Sequence, residues 1–581
     1  MANFLRDNSD LLAHLRRMDL DRIAALKERE FEDWQVFPDA PRDAEDARDS
    51  YLRVLDVVGE ISGEFIAPRS EEIDRKGLEL ADGEVLFPRE TIDIINRLKQ
   101  ADIMGFLLPR KYGGINMPMT VYMAAIEIVS RADASIMLLF GLQGIGETIT
   151  RFGSEEQKAR FLPRFCSGKA MGAMALTEPD AGSDLQSVSL RASLTPEGRW
   201  TLNGVKRFIT NGCADISLVM ARSEPDTPGA RGLSLFICER SDKVRIRRIE
   251  KKMGLHGSPT CELQFNDAPA ELLGKRKFGL VKYTMTLLNG ARLAVAAQAV
   301  GLAEAAYREA YAYANTREQF GQPVRKFSAV YEMLTDMRIA IEAGRSLLYE
   351  AARIVDLQDG LDAAIGRDGK PSSEAKKELR SIGKYAALLT PMVKAWNTEM
   401  ANRVCFDAIQ VHGGVGYSRD FNVERHYRDV RVTNIYEGTT QLQVAGAIGG
   451  VVGGVVFDRL DDYDAAYDFS DMAPQIGIAR EMRRHLESAV AHVKDAEDAT
   501  IQEYHAGRLV AMATDTLIGY LMCIDGRCSK RKKTAAGLFL SKGRWRVQAA
   551  MAYILSEDLC LPKGHETVLD EGEDVSLPFT P

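Results

Sequence analysis

The sequence predicts a mixed α and β protein, mostly helical, with one β-domain between helical regions and a further helical region after them. Three observations predict this. Apolar residues recur at helical spacing over residues 50–165 and again over 278–445. Between about 171 and 270 the pattern changes to short β-prone runs separated by turn residues. Beyond a glycine-rich stretch, Gly446 to Gly454, helical patterns resume.

The elements follow in order. Residues 1–50 are polar and mixed in charge. Leu20–Lys27 has helical spacing, Pro38 and Pro41 close the segment, and the whole reads as a docking arm. A helical domain is expected over 51–170, with amphipathic stretches at Tyr51–Ile66, Arg89–Ala101 and Thr120–Ser130. Ser154 is placed to cap a helix whose first turn is acidic. The β-domain is expected over 171–270. Its strands fall at Arg199–Lys206, Ile216–Met220, Leu233–Cys238, Val244–Ile249 and Cys261–Phe265, and Asn203-Gly204 is a hairpin signal. Over 278–445, Ala291–Tyr313 is a long alanine-rich helix in which Gly301 implies close packing, and Asp356–Ser373 reads as a polar turn. Gly446–Gly454 reads as a flexible joint. The stretches Ala473–Ala499 and Tyr504–Met522 make 455–581 a helical extension, ending in the acidic tail Asp570–Asp574.

Composition narrows the function. The chain has 581 residues, 27% charged and 45% hydrophobic, as an ordinary globular protein does. A net charge of −8 argues against a general nucleic-acid binder. No signal peptide and no run of about 18 apolar residues is found, so no transmembrane helix is expected and the location is expected to be cytoplasmic. The eight cysteines are scattered, which reads as reduced thiols and not as a disulfide framework or metal site. No nicotinamide, ATPase, serine-hydrolase or metalloprotease motif is present.

The chemistry concentrates in Thr433-Asn-Ile-Tyr-Glu-Gly-Thr-Thr-Gln-Leu-Gln443. Gly438 frees the backbone beside Glu437, and a carboxylate presented there among apolar residues would have a raised pKa, which suits a general base. Upstream stand Gln410-Val-His-Gly-Gly-Val-Gly-Tyr417 and Arg425-His-Tyr-Arg-Asp429, and far earlier Met174-Ala-Leu-Thr-Glu-Pro-Asp-Ala-Gly-Ser-Asp184. In this order, over roughly residues 50–445, these segments resemble the acyl-CoA dehydrogenase family. The resemblance implies an N-terminal helical domain, a central β-domain and a C-terminal four-helix bundle, here in a long form with an extension.

The resemblance also implies roles. Glu437 is the base, because the other place where the family puts one, before Arg292, holds Ala291. FAD lies along Leu176, Thr177, Gly182 and Ser183, with Phe208 over its ring and Thr210 at its N5 edge. Arg317 and Phe320 of Arg317-Glu-Gln-Phe-Gly321, with Gln410, Gly413 and Gly414, reach the neighbouring subunit's FAD; Thr439 and Gln441 also meet cofactor. Substrate contacts fall to Ser183, Asn289, Arg292 and Gly438. Two departures stand out: Ser328 occupies a place where the family often has Gln, and Lys275-Arg-Lys277 replaces a more acidic stretch. The implied reaction takes a proton from Cα of an acyl-CoA to Glu437 and a hydride from Cβ to flavin N5. Electrons then pass to electron-transferring flavoprotein, in a homodimer or homotetramer. Alternatives are an acyl-CoA oxidase, an enoyl-CoA reductase, or a nucleic-acid-binding relative. The last rests on the basic residues of 527–546 (Arg527, Lys530, Arg531, Lys532, Lys533, Lys542, Arg544 and Arg546), which also raise the prospect of a membrane contact.

Overall fold

Capping side chains set where the first helices begin. Asn8 accepts from the Leu11 N–H at the start of α1 (Ser9–Arg17), and Asp43 from the Asp46 N–H at the start of α3 (Ala44–Glu60); α2 (Asp21–Lys27) lies between them. The structure, a computed structural model, describes residues 2–369, 372–496 and 498–570. The acidic tail past Asp570 lies outside them. The chain forms two units, Met1–Gln443 and Val444–Pro581.

In the first unit, the polar N-terminal segment is helical and docked, with Leu11, Leu15 and Ile23 buried. α3 passes through a π turn, Ile61–Ile66, into α4 (Ala67–Lys76). A short hairpin follows, β1 (Glu79–Ala81) and β2 (Glu84–Leu86), too brief for periodicity to reveal. Then come α5 (Arg89–Gln100), α6 (Met119–Ala132), α7 (Ala134–Gly141), α8 (Ile145–Phe152) and α9 (Glu155–Cys166). α6 is buried almost all round, as a central helix should be. Ser154 and Gln157 cap α9 reciprocally, at 3.2 and 3.1 Å.

The β-domain contains β3 (Gly172–Ala175), β4 (Arg191–Leu194), β5 (Trp200–Thr210), β6 (Ile216–Arg222), β7 (Leu233–Glu239), β8 (Val244–Ile249) and β9 (Thr260–Leu272). Pairing runs β6-β4-β5-β9-β7 and returns from β7 to β6, so the sheet closes on itself; β3 flanks β6 and β8 flanks β9. Leu202, Val219, Phe236, Leu263 and Phe265 fill its interior. Asn203-Gly204 is not a hairpin turn. It lies inside β5, where Arg191 pairs with Asn203 and a register shift falls between Leu202 and Gly204. Gly204 takes φ +141°, and a Cβ there would meet Leu190 at 3.1 Å, so the glycine serves a bulge against a close neighbour. The turn between β4 and β5 is at Thr195–Arg199.

The remaining helices of this unit are long. α10 (Met285–Thr316), α11 (Ser328–Asp368) and α12 (Ser373–His412) pack on one another and on α6. A Cβ on Gly301 would lie 2.4 Å from the Glu127 carbonyl, which confirms the close approach of α10 to α6. The expected polar turn at Asp356–Ser373 is mostly helix, because α11 continues to Asp368. Its polar residues have jobs: Asp356 accepts from the Met119 and Thr120 N–H groups at the start of α6, each at 2.7 Å. A short strand pair, β10 (Glu318–Gln319) and β11 (Gln322–Pro323), precedes α11, and α13 (Val423–Val430) follows α12.

Gly446–Gly454 is also mostly helix, since α14 runs Thr440–Val452. Three glycines inside it, Gly446, Gly449 and Gly450, lower helix propensity but do not prevent the helix; it breaks at Gly453-Gly454, where Gly454 takes φ +86°. The second unit contains α15 (Val455–Ala466), α16 (Ala473–Asp495), α17 (Ala499–Gly526), α18 (Lys530–Leu555) and α19 (Cys560–Leu569). Contrary to the sequence expectation, α17 is long and apolar enough to cross a membrane, but 83% of its most apolar window is buried. It is packed by α16 and α18, as a core helix is. Much of the basic cluster is used within this unit: Arg544 bonds Glu481 at 3.0 Å, Arg546 bonds Asp515 at 2.8 Å, and Lys533 bonds the Asp471 carbonyl.

Candidate active site

The stretch around Glu437 is a strained turn held by two long helices. Glu437 takes φ +53° and Gly438 φ +91°. Left-handed backbone is unfavourable for a side chain such as glutamate, and strain of this kind persists only where the surroundings enforce it. Lys394, fully buried on α12, donates to the Gly438 carbonyl at 2.6 Å. Gln443 donates to the carbonyls of Glu437 and Gly438, at 3.1 and 3.0 Å. The Tyr436 hydroxyl bonds Gln298 of α10, and Asn434 bonds Glu399 of α12 at 3.1 Å.

This turn presents Glu437 to a cavity of about 900 Å³. Its Oε2 is buried, with no hydrogen-bond partner among the described residues. Burial raises the carboxyl pKa above its ordinary value, and the cations of Lys394 and Arg292 restrain the rise. Burial in turn pushes Lys394 down to about 8. Such a carboxylate can accept a proton without competition from a hydrogen-bonded neighbour. Ala291 lines the same cavity, so the alternative place for a base does face it, and carries only a methyl group.

Asn289, Thr210 and Met174 share that cavity with Glu437. Arg292 sits beside it, its Nη1 donating to Asn289 at 3.2 Å. β5 brings the first signature alongside: the Arg207 N–H donates to the Thr177 carbonyl at 2.9 Å, and Lys206 donates to the Leu176 carbonyl at 2.7 Å. Phe208 stands at a second bulge in β5, between Lys206 and Ile209. A bulky residue at φ +58° is a genuine outlier, and Phe208 is 53% exposed. Gly182 and Ser183 are exposed, and a Cβ on Gly182 would meet nothing within 4 Å. An exposed aromatic ring held against strain, next to open backbone and a threonine that reaches the Glu437 cavity, fits a planar flavin.

The rest of the predicted set lies elsewhere. Arg317, Gln410, Gly413 and Gly414 are exposed, Phe320 is 94% exposed, and none of them lines the Glu437 cavity. Thr439 and Gln441 follow the turn but do not line the cavity either.

Sequence reasoning missed two buried lysines. Lys394 stands alone in the apolar stretch Ala386–Ala395, and a lone charge inside an apolar helix was the available signal. Lys206 occupies an inward position of β5 and pairs with Glu178 at 2.9 Å. Glu178 also accepts from the Ser189 and Leu190 N–H groups, so the pair fastens the signature loop to the barrel.

Comparison with known proteins bears on this geometry. Four family models match: the acyl-CoA dehydrogenase N-terminal domain over 49–169, the middle domain over 173–268, the C-terminal domain over 281–447, and a further acyl-CoA dehydrogenase C-terminal model over 453–558. The short-chain specific acyl-CoA dehydrogenase of Megasphaera elsdenii is 36% identical over 409 residues, which span 69% of this chain and 96% of that protein. A solved structure described as the electron transferring flavoprotein of Acidaminococcus fermentans aligns with a TM-score of 0.59 at 34% identity, covering 69% of this chain and 97% of the other. An acyl-CoA dehydrogenase of Bacillus anthracis complexed with FAD aligns with a TM-score of 0.74 over 89% of this chain and 90% of its own; at 22% identity this likeness speaks to the fold alone.

Proposed function

Since the chain belongs to the acyl-CoA dehydrogenase family and is an FAD-dependent oxidoreductase of acyl-CoA dehydrogenation, we propose that Glu437 is its base and that the product is the trans-2-enoyl-CoA. One observation carries the assignment of Glu437: a strained turn places its carboxylate, whose buried Oε2 has no hydrogen-bond partner among the described residues, in the wall of the cavity that Thr210 and Asn289 also line.

Glu437 takes the proton from Cα. Its raised pKa makes it a stronger base than an exposed glutamate, and a bound acyl chain filling the cavity would keep bulk water from competing. The Glu437 backbone N–H is the donor we assign to the thioester carbonyl, where negative charge develops. Lys394 and Gln443 hold that turn through its carbonyls, so the base and the donor move as one. FAD, when bound, supplies the acceptor for the Cβ hydride. Leu176, Thr177, Gly182, Ser183, Phe208 and Thr210 are the residues we assign to it.

The electron acceptor is proposed to be electron-transferring flavoprotein, which agrees with the likeness to the Acidaminococcus fermentans structure. The assembly is proposed to be a homodimer or homotetramer. Exposure of Arg317, Phe320, Gln410, Gly413 and Gly414 away from this chain's own cavity supports their reaching a second copy's cofactor.

The test is Glu437→Gln, which keeps shape but cannot accept the proton. Bleaching of the flavin by the best acyl-CoA should slow by about 10²–10⁴-fold, with flavin content unchanged. A loss of less than about tenfold would place the base elsewhere.

A further inference from the structure

The cavity that holds Glu437 has a second end, and its chemistry differs from the first. Its wall follows α12. Thr390, one turn before Lys394, lines it near Glu437, and Leu379, farther back on the same helix, lines it too. At a helical rise this stretch spans about 16 Å, enough for an extended acyl chain. Tyr122, Leu142, Val295 and Ala387 give the cavity apolar walls. The far end is charged: Lys27 of α2, Glu147 and Arg151 of α8, and Asp356 and Asp359 of α11, with Asp362 and Arg367 of α11 lining it from exposed positions.

Most of these charges already have partners. Arg151 forks onto Asp359, with Nη1 to Oδ1 at 3.0 Å, and its Nη2 also meets Glu147 at 3.0 Å. Asp356 is taken up by the N-terminus of α6 and by the Thr120 hydroxyl. Lys27 differs. It is half-buried, its charge acts on Asp356 and Asp359, yet among the described residues no carboxylate stands within 4.0 Å of its ammonium. A partly desolvated ammonium with three donors is compensated only by an acceptor. Both nearby aspartates are engaged, so the acceptor that suits Lys27 is one a ligand brings.

The placement of Lys27 is itself built in. α2 precedes the residues matched by the family's N-terminal model, which begin at 49. It closes on α11 where Gly360 has no side chain; a Cβ there would lie 2.8 Å from Leu26 Cβ. Leu26, next to Lys27, also lines the cavity.

We infer that the far end of the cavity receives an acyl chain whose distal terminus carries an oxygen acceptor, a hydroxyl or a carboxylate, with Lys27 as the residue that selects it. This rests on the acyl-CoA reading of the cavity. A plain alkyl terminus would bring apolar surface against Lys27, Arg151 and the two aspartates and would satisfy none of them.

The experiment measures binding and not turnover. Calorimetric titration of the flavin-loaded enzyme compares CoA thioesters of matched length, alkyl-ended against ω-hydroxy and ω-carboxy, across a chain-length series. At lengths that reach the far end, the oxygen-ended chains should bind about tenfold tighter, the low end for a charge-assisted hydrogen bond. Lys27→Met keeps the apolar stem and should abolish that ratio. Gly360→Val, which pushes α2 away without altering any charge, should shrink it. Equal binding of alkyl chains at every length, or a ratio that survives Lys27→Met, overturns the inference. Selective binding without flavin bleaching would remove the proposed dehydrogenation and leave this inference standing. Bleaching without selectivity would do the reverse.

Discussion

Replacing Lys394 by methionine should separate catalysis from stability. The ammonium is fully buried and bonds the Gly438 carbonyl at 2.6 Å. Burial moves its pKa from 10.5 to about 8, a net cost to the charged form of about 3 kcal/mol. Because the folded-state pKa lies below the unfolded one, the unfolded chain binds more protons between those values. Stability therefore rises as pH climbs from about 8 to 10.5, and the cost is fully present at neutral pH. Lys394→Met removes that charge, keeps the stem volume, and leaves the Gly438 carbonyl with Gln443 as its donor. Unfolding by urea at pH 7 should show stability equal to wild type or higher, and the wild-type gain between pH 8 and 10.5 should be reduced. Catalysis should move the other way. Lys394 is the larger of the two cationic influences holding the Glu437 pKa down. Without it the base stays protonated to higher pH, so the ascending limb of kcat/KM shifts upward. An opposite charge at close range is worth about tenfold or more in proton affinity, and kcat/KM on the ascending limb, below the pKa of the base, should fall by about that factor. A variant that loses several kcal/mol of stability, or whose pH profile overlays wild type, would refute the claim that Lys394 acts on the base.

Two further outcomes follow from buried charge and backbone strain. Arg345 is fully buried against Asp10, Glu127 and Glu304, at 2.7, 2.7 and 2.9 Å, so Arg345→Met should strand these carboxylates and cost about 3–5 kcal/mol in urea unfolding. Phe208→Gly relieves a left-handed aromatic residue, a strain of about 1–2 kcal/mol, so the thermal midpoint of the flavin-free protein should not fall. Flavin retained through gel filtration should decrease if the ring covers the cofactor.

How much of this was legible in the sequence depends on the length scale of each signal. Strands β6 to β8 and helices α5 and α6 carry periodic apolar patterns, and their positions were readable within two residues; β9 and α10 were found but extend six or seven residues beyond the stretch that reads as strand or helix. Asn203-Gly204 misled because a hairpin turn and a β-bulge use the same positive-φ chemistry. The local sequence cannot tell whether the strand reverses there or only yields to Leu190. Asp356 misled differently: it is polar inside a helix because it caps another helix more than two hundred residues earlier in the chain, at Met119 and Thr120. The candidate site divided along the same line. The turn at Glu437-Gly438 announces itself locally, whereas Lys394 becomes meaningful only once α12 is laid against that turn.

Left-handed residues such as Phe31, Leu255 and Phe320 occur across the first unit, but strain and buried charge coincide at the base. Glu437 in left-handed backbone lines the cavity, Lys394 bonds the turn that carries it, and Phe208 stands two residues before Thr210, which lines the cavity too. Arg345 shows that this fold can satisfy a buried cation when structure alone is at stake, since three carboxylates surround it. Lys394 has no such shell; among the described residues the one hydrogen-bond partner of its ammonium is a neutral carbonyl of the turn that carries the base. A carboxylate placed to neutralise Lys394 would weaken the field that restrains the rise of the Glu437 pKa. Leaving the lysine short of partners is thus what couples its charge to the base, and the cost in stability is the physical sign of that coupling.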